Sequence, residues 1–421
     1  MPSRLRSSPV AALVALVTAI LLPGGLGALA IGNGVPHGAA PPHGDHTPVT
    51  QSGASVARPA THTDRLPAPL DGDLAGGMFH TCALTRQGAA YCWGYNAKGG
   101  LGTGEVGGSE LTPVSVIGGL AFTALTAGAY HTCGLAGGGV ASRGADGVAY
   151  CWGDNASGQL GDGTTEQRTV PTAVAGGLRF RAISAGVDYT CGVTTAGAAY
   201  CWGANEDGQR GDSTTAPSAT PMPVHGGRAF VAISAGAHHT CALATGGAAY
   251  CWGANASGEL GDGAGGRPGA RSLTPVAVRG GLTFMQVATG LGARSTCGVA
   301  AVGVFCWGDG REGQLGPAAP DVCAQYGYPC AKTPHAVAGL SGPATVRQVS
   351  LGVSHACALT AAGAVHCWGS GASGRLGDGR PADQSANRAT PAPVSAGPGV
   401  SFASVTTNAT GACAITAGGE T

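Results

Sequence analysis

Along most of the chain, short runs of apolar and small residues alternate with polar positions, and each run closes on glycine. One stretch shows the grammar. Phe230-Val231-Ala232-Ile233-Ser234-Ala235-Gly236 reads as a strand ending in a glycine turn, residues 240–243 as a second strand, 248–252 as a third and 275–278 as a fourth. The unit then returns. Seven copies of its first half align on Cys82, Cys133, Cys191, Cys241, Cys297, Cys357 and Cys413. Six copies of its second half carry Cys-Trp-Gly at Trp93, Trp152, Trp202, Trp252, Trp307 and Trp368, which are all the tryptophans. A period of about 50 to 60 residues marks a repeat architecture, and four short strands per repeat make a propeller blade. The 421 residues therefore form one large all-β domain over 74–421 rather than several small ones.

The ends of the chain differ from this pattern. Arg4 and Arg6, the apolar run 10–22 and Ala28-Leu29-Ala30 together read as a secretory signal over 1–30, too short in its apolar part to span a bilayer. Residues 31–73 are rich in Pro, Gly, Ala, Thr and His and poor in large apolar side chains, so they predict a disordered linker. Its His37, His43, His46 and His62 have no accompanying cysteine or regular carboxylate, and no metal is assigned to them. The expectation is a secreted protein with no membrane insertion.

Export gives the fifteen cysteines a meaning, because disulfides persist in oxidising compartments. Pairing the second and third strands about the turn 244–247 sets Cys241 opposite Cys251, close enough for a bridge. Neighbouring cysteines pair likewise as Cys82–Cys92, Cys133–Cys151, Cys191–Cys201, Cys297–Cys306, Cys323–Cys330 and Cys357–Cys367, leaving Cys413 alone. Nine residues separate Cys241 from Cys251, against the two to four usual between paired ligands of structural zinc, so a zinc site is not expected.

Charge excludes one class of partner. Lys plus Arg and Asp plus Glu are 22 each and charged residues make up 10% of the chain, so no basic field exists for nucleic acid. Glycine, at 77 residues, falls at fixed offsets, as tight turns require. Loops after Trp-Gly carry Asn155, Asn205 and Asn255, then Asp162, Asp212, Asp262 and Asp378, which read as turn formers rather than as calcium ligands or glycosylation sites. Gly102-Thr103-Gly104-Glu105-Val106-Gly107 matches a dinucleotide fingerprint but lacks a following helix. His80, His131, His239 and His355 share a slot that Tyr189 and Ser295 also fill, which points to structural hydrogen bonding rather than a metal ring. Only seven glutamates occur, and none is expected at a repeated inward position. Arg210-Gly211-Asp212 spells an adhesion tripeptide that a single Leu-to-Arg exchange within the repeat would create.

The recurring Ala-Gly-x-x-His-Thr-Cys-Ala-Leu, Ala-Tyr-Cys-Trp-Gly-x-Asn-x-x-Gly-Gln-Leu-Gly-Asp-Gly and Pro-Val-x-Val resemble the regulator of chromosome condensation repeat family over roughly residues 74 to 421. That resemblance implies a seven-bladed β-propeller with a central channel, and the cysteine-bearing form is similar to exported bacterial members. The family's nuclear exchange activity and chromatin contact are not implied, because a signal peptide and the absence of a basic tail oppose them. The seventh copy stops after Cys413-Ala414-Ile415-Thr416-Ala417-Gly418-Gly419, so its blade is expected to be incomplete and Cys413 to lack a partner.

Function in a regular scaffold is sought where copies differ. Between the Ala-Gly turn and the histidine slot stand Phe79, Tyr130, Asp188, His238, Arg294 and Ser354, which equivalent loops would gather on one face. Aromatics and arginine are what binding hot spots use. Two insertions add to this face. One, 137–146, lengthens a hairpin, and the other, 317–334, presents Tyr326 and Tyr328 on a disulfide-stapled loop. The expectation is a monomeric, non-catalytic protein without cofactors that binds an extracellular protein or glycan. The alternatives are a hydrolase or lyase at the channel mouth and a structural component of the cell surface.

Overall fold

A computed structural model describes residues 28–31, 74–137, 146–323, 327–342, 345–380 and 386–417. Within them the strands pair in seven successive antiparallel units. Unit one comprises Leu74–Gly76, His80–Leu84, Ala90–Tyr95 and Ser109–Ser115, and unit two Phe122–Ala127, His131–Ala136, Gly147–Gly153 and Arg168–Ala173. Unit three runs through Arg179–Ala185, Tyr189–Thr194, Ala199–Gly203 and Ser218–Pro223, and unit four through Phe230–Ala235, His239–Ala244, Ala249–Ala254 and Arg271–Ala277. Units five and six follow as Phe284–Thr289, Ser295–Ala300, Gly303–Asp309 and Tyr328–Ser341, then Val346–Leu351, His355–Thr360, Val365–Gly369 and Arg388–Pro393. Unit seven has Phe402–Thr407 and Ala412–Thr416.

The sequence placed unit four's last strand at 275–278, and it begins four residues earlier, because Ser272 and Arg271 continue the ladder opposite Gly253 and Ala254 past a bulge. The sequence left residues up to 30 outside the domain. The structure lays Ala28–Ile31 antiparallel to Ala412–Ile415, with Ala30 opposite Cys413, in the position a third strand holds elsewhere. The physical reason is the unpaired edge that Ala412–Thr416 otherwise presents.

Successive units are stitched by one device. Trp202 is fully buried, and its indole donates to the carbonyl of Gln159 in the previous unit's loop at 2.9 Å. The hydroxyl of Thr190 donates to the same carbonyl at 2.9 Å, while the Nε2 of His131 meets that hydroxyl at 3.0 Å. Trp152, Trp252, Trp307 and Trp368 repeat the indole bond to Gly100, Gln209, Glu259 and Gln314. Gly161 has to be glycine, since its φ is +70° and a Cβ there would come within 2.6 Å of the Trp202 indole nitrogen.

The histidine slot is therefore structural. His80, His131 and His239 bond Thr132, Thr190 and Thr296 of the next unit, and Tyr189 reaches Thr240 at 2.9 Å. Burial holds His131 and His239 down to about 3 and His80 to about 4, so the rings stay neutral. All seven cysteine pairs form as expected, with Cα atoms 4.1 Å apart at Cys241–Cys251, and Cys413 is free and buried. Each bridge spanning ten residues contributes up to about 2.8 kcal/mol on the chain-entropy account, and the longer Cys133–Cys151 loop slightly more. The first strands line the central channel with Thr126, Ser184, Ser234, Gln286, Gln348 and Ser350, around about 270 Å³. No titratable side chain lines it among the described residues.

Candidate functional site

The turns that precede the histidine slot meet around one mouth of the propeller. Met78 donates its backbone N–H to the Gly128 carbonyl at 2.9 Å, Ala129 to Val187 at 3.3 Å, Val187 to Gly236 at 3.1 Å and Ala409 to Met78 at 3.4 Å. These bonds fix the variable residues beside one another. Phe79 and Tyr130 stack at 4.8 Å between centroids, and Tyr95 closes a three-ring cluster at 6.4 and 6.1 Å. Phe79 and Tyr130 are half-buried and Tyr95 is 43% exposed, so the cluster presents aromatic surface to solvent.

An acidic sector follows. Burial raises the Asp188 carboxyl above its usual range, Asp154 adds to the rise, and His238 opposes it. His238 forms an ion pair with Asp207 at 3.1 Å, which raises the imidazole and lowers the carboxyl. Arg294 lies close enough to act electrostatically on Asp207, His238 and Glu259, and makes no ion pair among the described residues. Five of the sequence-predicted residues, Phe79, Tyr130, Asp188, His238 and Arg294, are thus brought to one face in chain order.

The stapled insertion behaves differently from expectation. Tyr326 lies outside the described residues, as do 138–145 of the other insertion. Tyr328 does not project freely. Its hydroxyl sits 3.0 Å from the Ser257 hydroxyl and the Arg311 guanidinium lies 4.7 Å over its ring, so the loop is docked on unit four. With Asp207, His238, Arg267 and Arg294, Tyr328 lines a cavity of about 340 Å³.

At that cavity stands a residue the sequence reading dismissed. Glu259 is 1% exposed and occupies the slot of Gln159, Gln209 and Gln314, contrary to the expectation that no glutamate holds a repeated inward position. Its backbone carbonyl takes the Trp307 and Thr296 bonds, and its Oε2 accepts the Ser257 N–H at 2.7 Å, as Gln159 accepts from Ser157. The signal was present in the repeat: a Gln-to-Glu change at one fixed position. Tyr95, at the end of the strand Ala90–Tyr95, and the loop residues Asp207 and Arg267 were also missed, because they lie outside the single variable slot that was compared.

Other motifs resolve as architecture. Arg210 is 3% exposed and pairs with the buried Asp212, so the adhesion tripeptide is not displayed. Asn155 and Asn255 are buried, and their Nδ2 atoms, which a glycan would join, donate to the Asp162 and Asp262 carboxylates. Asp162, the type case of the loop aspartates, accepts from Thr164 and Arg168.

Comparison with known proteins agrees with this architecture. Over 110 residues, 26% of this chain and 23% of the relative, it is 34% identical to the RCC1 domain-containing protein RUG3, mitochondrial, of Arabidopsis thaliana. The Ultraviolet-B receptor UVR8 of the same plant is 31% identical over 127 residues, 29% of this chain and 27% of the relative. The matched stretches thus span about a quarter of those relatives' length. Among solved structures, human WBSCR16 superposes with a TM-score of 0.67 at 19% identity over 83% of this chain and 88% of that one. Prp20p of Saccharomyces cerevisiae, described with its binding properties to Gsp1p and histones, gives 0.68 at 18% identity over 82% of each chain. Both share the fold. The RCC1-like domain family matches residues 42–421, starting within the segment read as linker, and the chain belongs to that family.

Proposed function

We propose that the chain is an exported, monomeric, non-catalytic propeller that binds a protein, or a surface glycan, through the mouth carrying Phe79, Tyr130, Asp188, His238 and Arg294. The observation that carries this reading is the cluster of Phe79, Tyr95 and Tyr130, aromatic surface held in place by backbone bonds and left open to solvent. Rigid aromatics flanked by charge are what anchor interfaces. Seven disulfides and the signal-like residues 4–22, which precede the paired segment 28–31, support export from a bacterial cytoplasm. The neutral channel wall supports binding over catalysis there. Prp20p lends the precedent of a propeller of this fold that binds proteins, without its partners being transferred.

The test is capture from the host's extracellular fraction with full-length protein and with the Phe79→Ala, Tyr130→Ala double variant. Specific partner capture is expected to fall at least tenfold in the double variant and to persist in Asp188→Ala. Loss on the single carboxylate change, with the aromatic variant still binding, would reverse the assignment in favour of the enzyme reading.

A further inference from the structure

Glu259 is a buried carboxylate in a position three sister loops fill with an amide. One oxygen is satisfied by Ser257, and the other, Oε1, is shielded from solvent and has no hydrogen-bond partner among the described residues. A neutral Gln would serve the loop equally well, as Gln209 does by accepting from the Asp207 N–H at 3.0 Å. The negative charge is therefore unexplained by the fold. Burial raises this carboxyl to about 7, a cost that grows wherever it ionises without a counter-charge.

The surrounding cavity, at the junction of units three, four and five, has the opposite character at its rim. Arg267 and Arg294 are exposed there, and neither guanidinium makes an ion pair or a hydrogen bond among the described residues. The other charged pair at the rim, Asp207 and His238, satisfies itself at 3.1 Å. His239 also borders the cavity, but its Nε2 is committed to Thr296 at 2.8 Å and burial keeps the ring neutral. What remains open is one acceptor within and two guanidinium groups without. A volume of about 340 Å³ is at the small end of ligand sites.

We propose that this cavity binds a small zwitterion of the α-amino acid class, its ammonium received by the Glu259 carboxylate once that side chain turns Oε1 out of the cavity wall, and its carboxylate facing Arg294 and Arg267. Guanidinium groups pair with carboxylates in fixed geometry, and a partnered buried charge is far cheaper than an orphaned one. The site does not depend on protein binding at the same mouth.

Isothermal titration of the full-length protein at pH 8 tests it, with glycine, alanine and leucine as ligands and methylamine and acetate as half-ligands. Saturable binding of at least one amino acid is expected, with both half-ligands at least tenfold weaker. Glu259→Gln, which keeps the residue type of the sister loops, and Arg294→Gln are each expected to weaken it tenfold or more. No saturable heat with any of the three amino acids would overturn the proposal. So would acetate or methylamine binding as tightly as the amino acid, or an unchanged affinity in Glu259→Gln with the variant folded.

Discussion

Replacing Glu259 by Gln is expected to stabilise the propeller at neutral and alkaline pH and to do little in acid. The carboxyl is raised from an ordinary 4.5 to about 7, so the folded state disfavours the ionised form. A raised acid binds more protons folded than unfolded between these values, and its cost to stability therefore grows as pH climbs from 4.5 to 7 and is constant above. Worked through the linkage relation, the cost is about 1 kcal/mol at pH 5 and about 3 kcal/mol at pH 8. The stability difference between variant and wild type should thus change by about 2 kcal/mol between the two pH values. Urea unfolding with disulfides intact, at both pH values, measures it. The buried histidines titrate over part of the same range, but they are common to both proteins and cancel in the difference. The glutamine of the variant would leave its own amide nitrogen where Oε1 of Glu259 now lies unpaired, which lowers the absolute gain but not the pH dependence. A difference that stays flat from pH 5 to pH 8 would refute the placement of Glu259 in a dry, unpartnered site.

Arg210 replaces the leucine of the repeat, is buried, and leaves Nε and Nη1 without partners, so Arg210→Leu is expected to stabilise by about 1–4 kcal/mol in urea unfolding. Asp212 keeps its bonds from Thr214 and Asn205 in that variant, and a loss of stability would show that the ion pair supports the loop. His80, His131, His239 and His355 are held at about 3 to 4, below their ordinary 6.5, so each subtracts stability as pH falls below 6.5, about 2 kcal/mol at pH 5. His239→Tyr, copying Tyr189, should remove one such step from the pH 7.5-to-5 loss, and an unchanged loss would count against the neutral-ring assignment.

The repeat made the fold legible because each copy constrains the same structure. Cys241 opposite Cys251 followed from counting residues across one turn, and the tolerance of Tyr189 and Ser295 identified the histidine slot as structural. The Ser295 hydroxyl is indeed left unpartnered and buried where the next unit has Ala356 in place of threonine. The candidate face was half legible. Variation at one slot found Phe79, Tyr130 and Asp188, but the cavity depends on which loops meet across three units, and local sequence does not encode that distance. Glu259 was written in the repeat and overlooked because a conservative Gln-to-Glu change alters charge without altering shape. What turns it into a candidate site is burial, which only the packed structure supplies.

The junction of units seven and one shows how much the stitching device matters, because there it is missing. Trp93 is half-exposed and its indole makes no bond to a neighbouring loop among the described residues, unlike the five fully buried tryptophans. Unit seven carries no disulfide, since Cys413 is free, and its thiol, raised to about 11 by burial, rests against the Thr81 hydroxyl of unit one. At the junction of units six and seven the threonine slot is Ala412, so His355 reaches the Gly411 carbonyl at 3.1 Å instead. What joins units seven and one is thinner: Gly76 N–H to Thr406 at 3.0 Å and Ala409 N–H to Met78 at 3.4 Å. Local opening free energy follows the density of such contacts. Hydrogen exchange should therefore lose protection first at Phe402–Thr407 and Ala412–Thr416, before any disulfide-closed hairpin. One thiol per chain should react with an alkylating reagent slowly under native conditions and fully in denaturant, the native rate rising with the same opening. If unit seven exchanges as slowly as unit four, the indole-to-carbonyl stitch is not what couples one blade to the next, and closure of the ring must rest on the channel-lining strands alone.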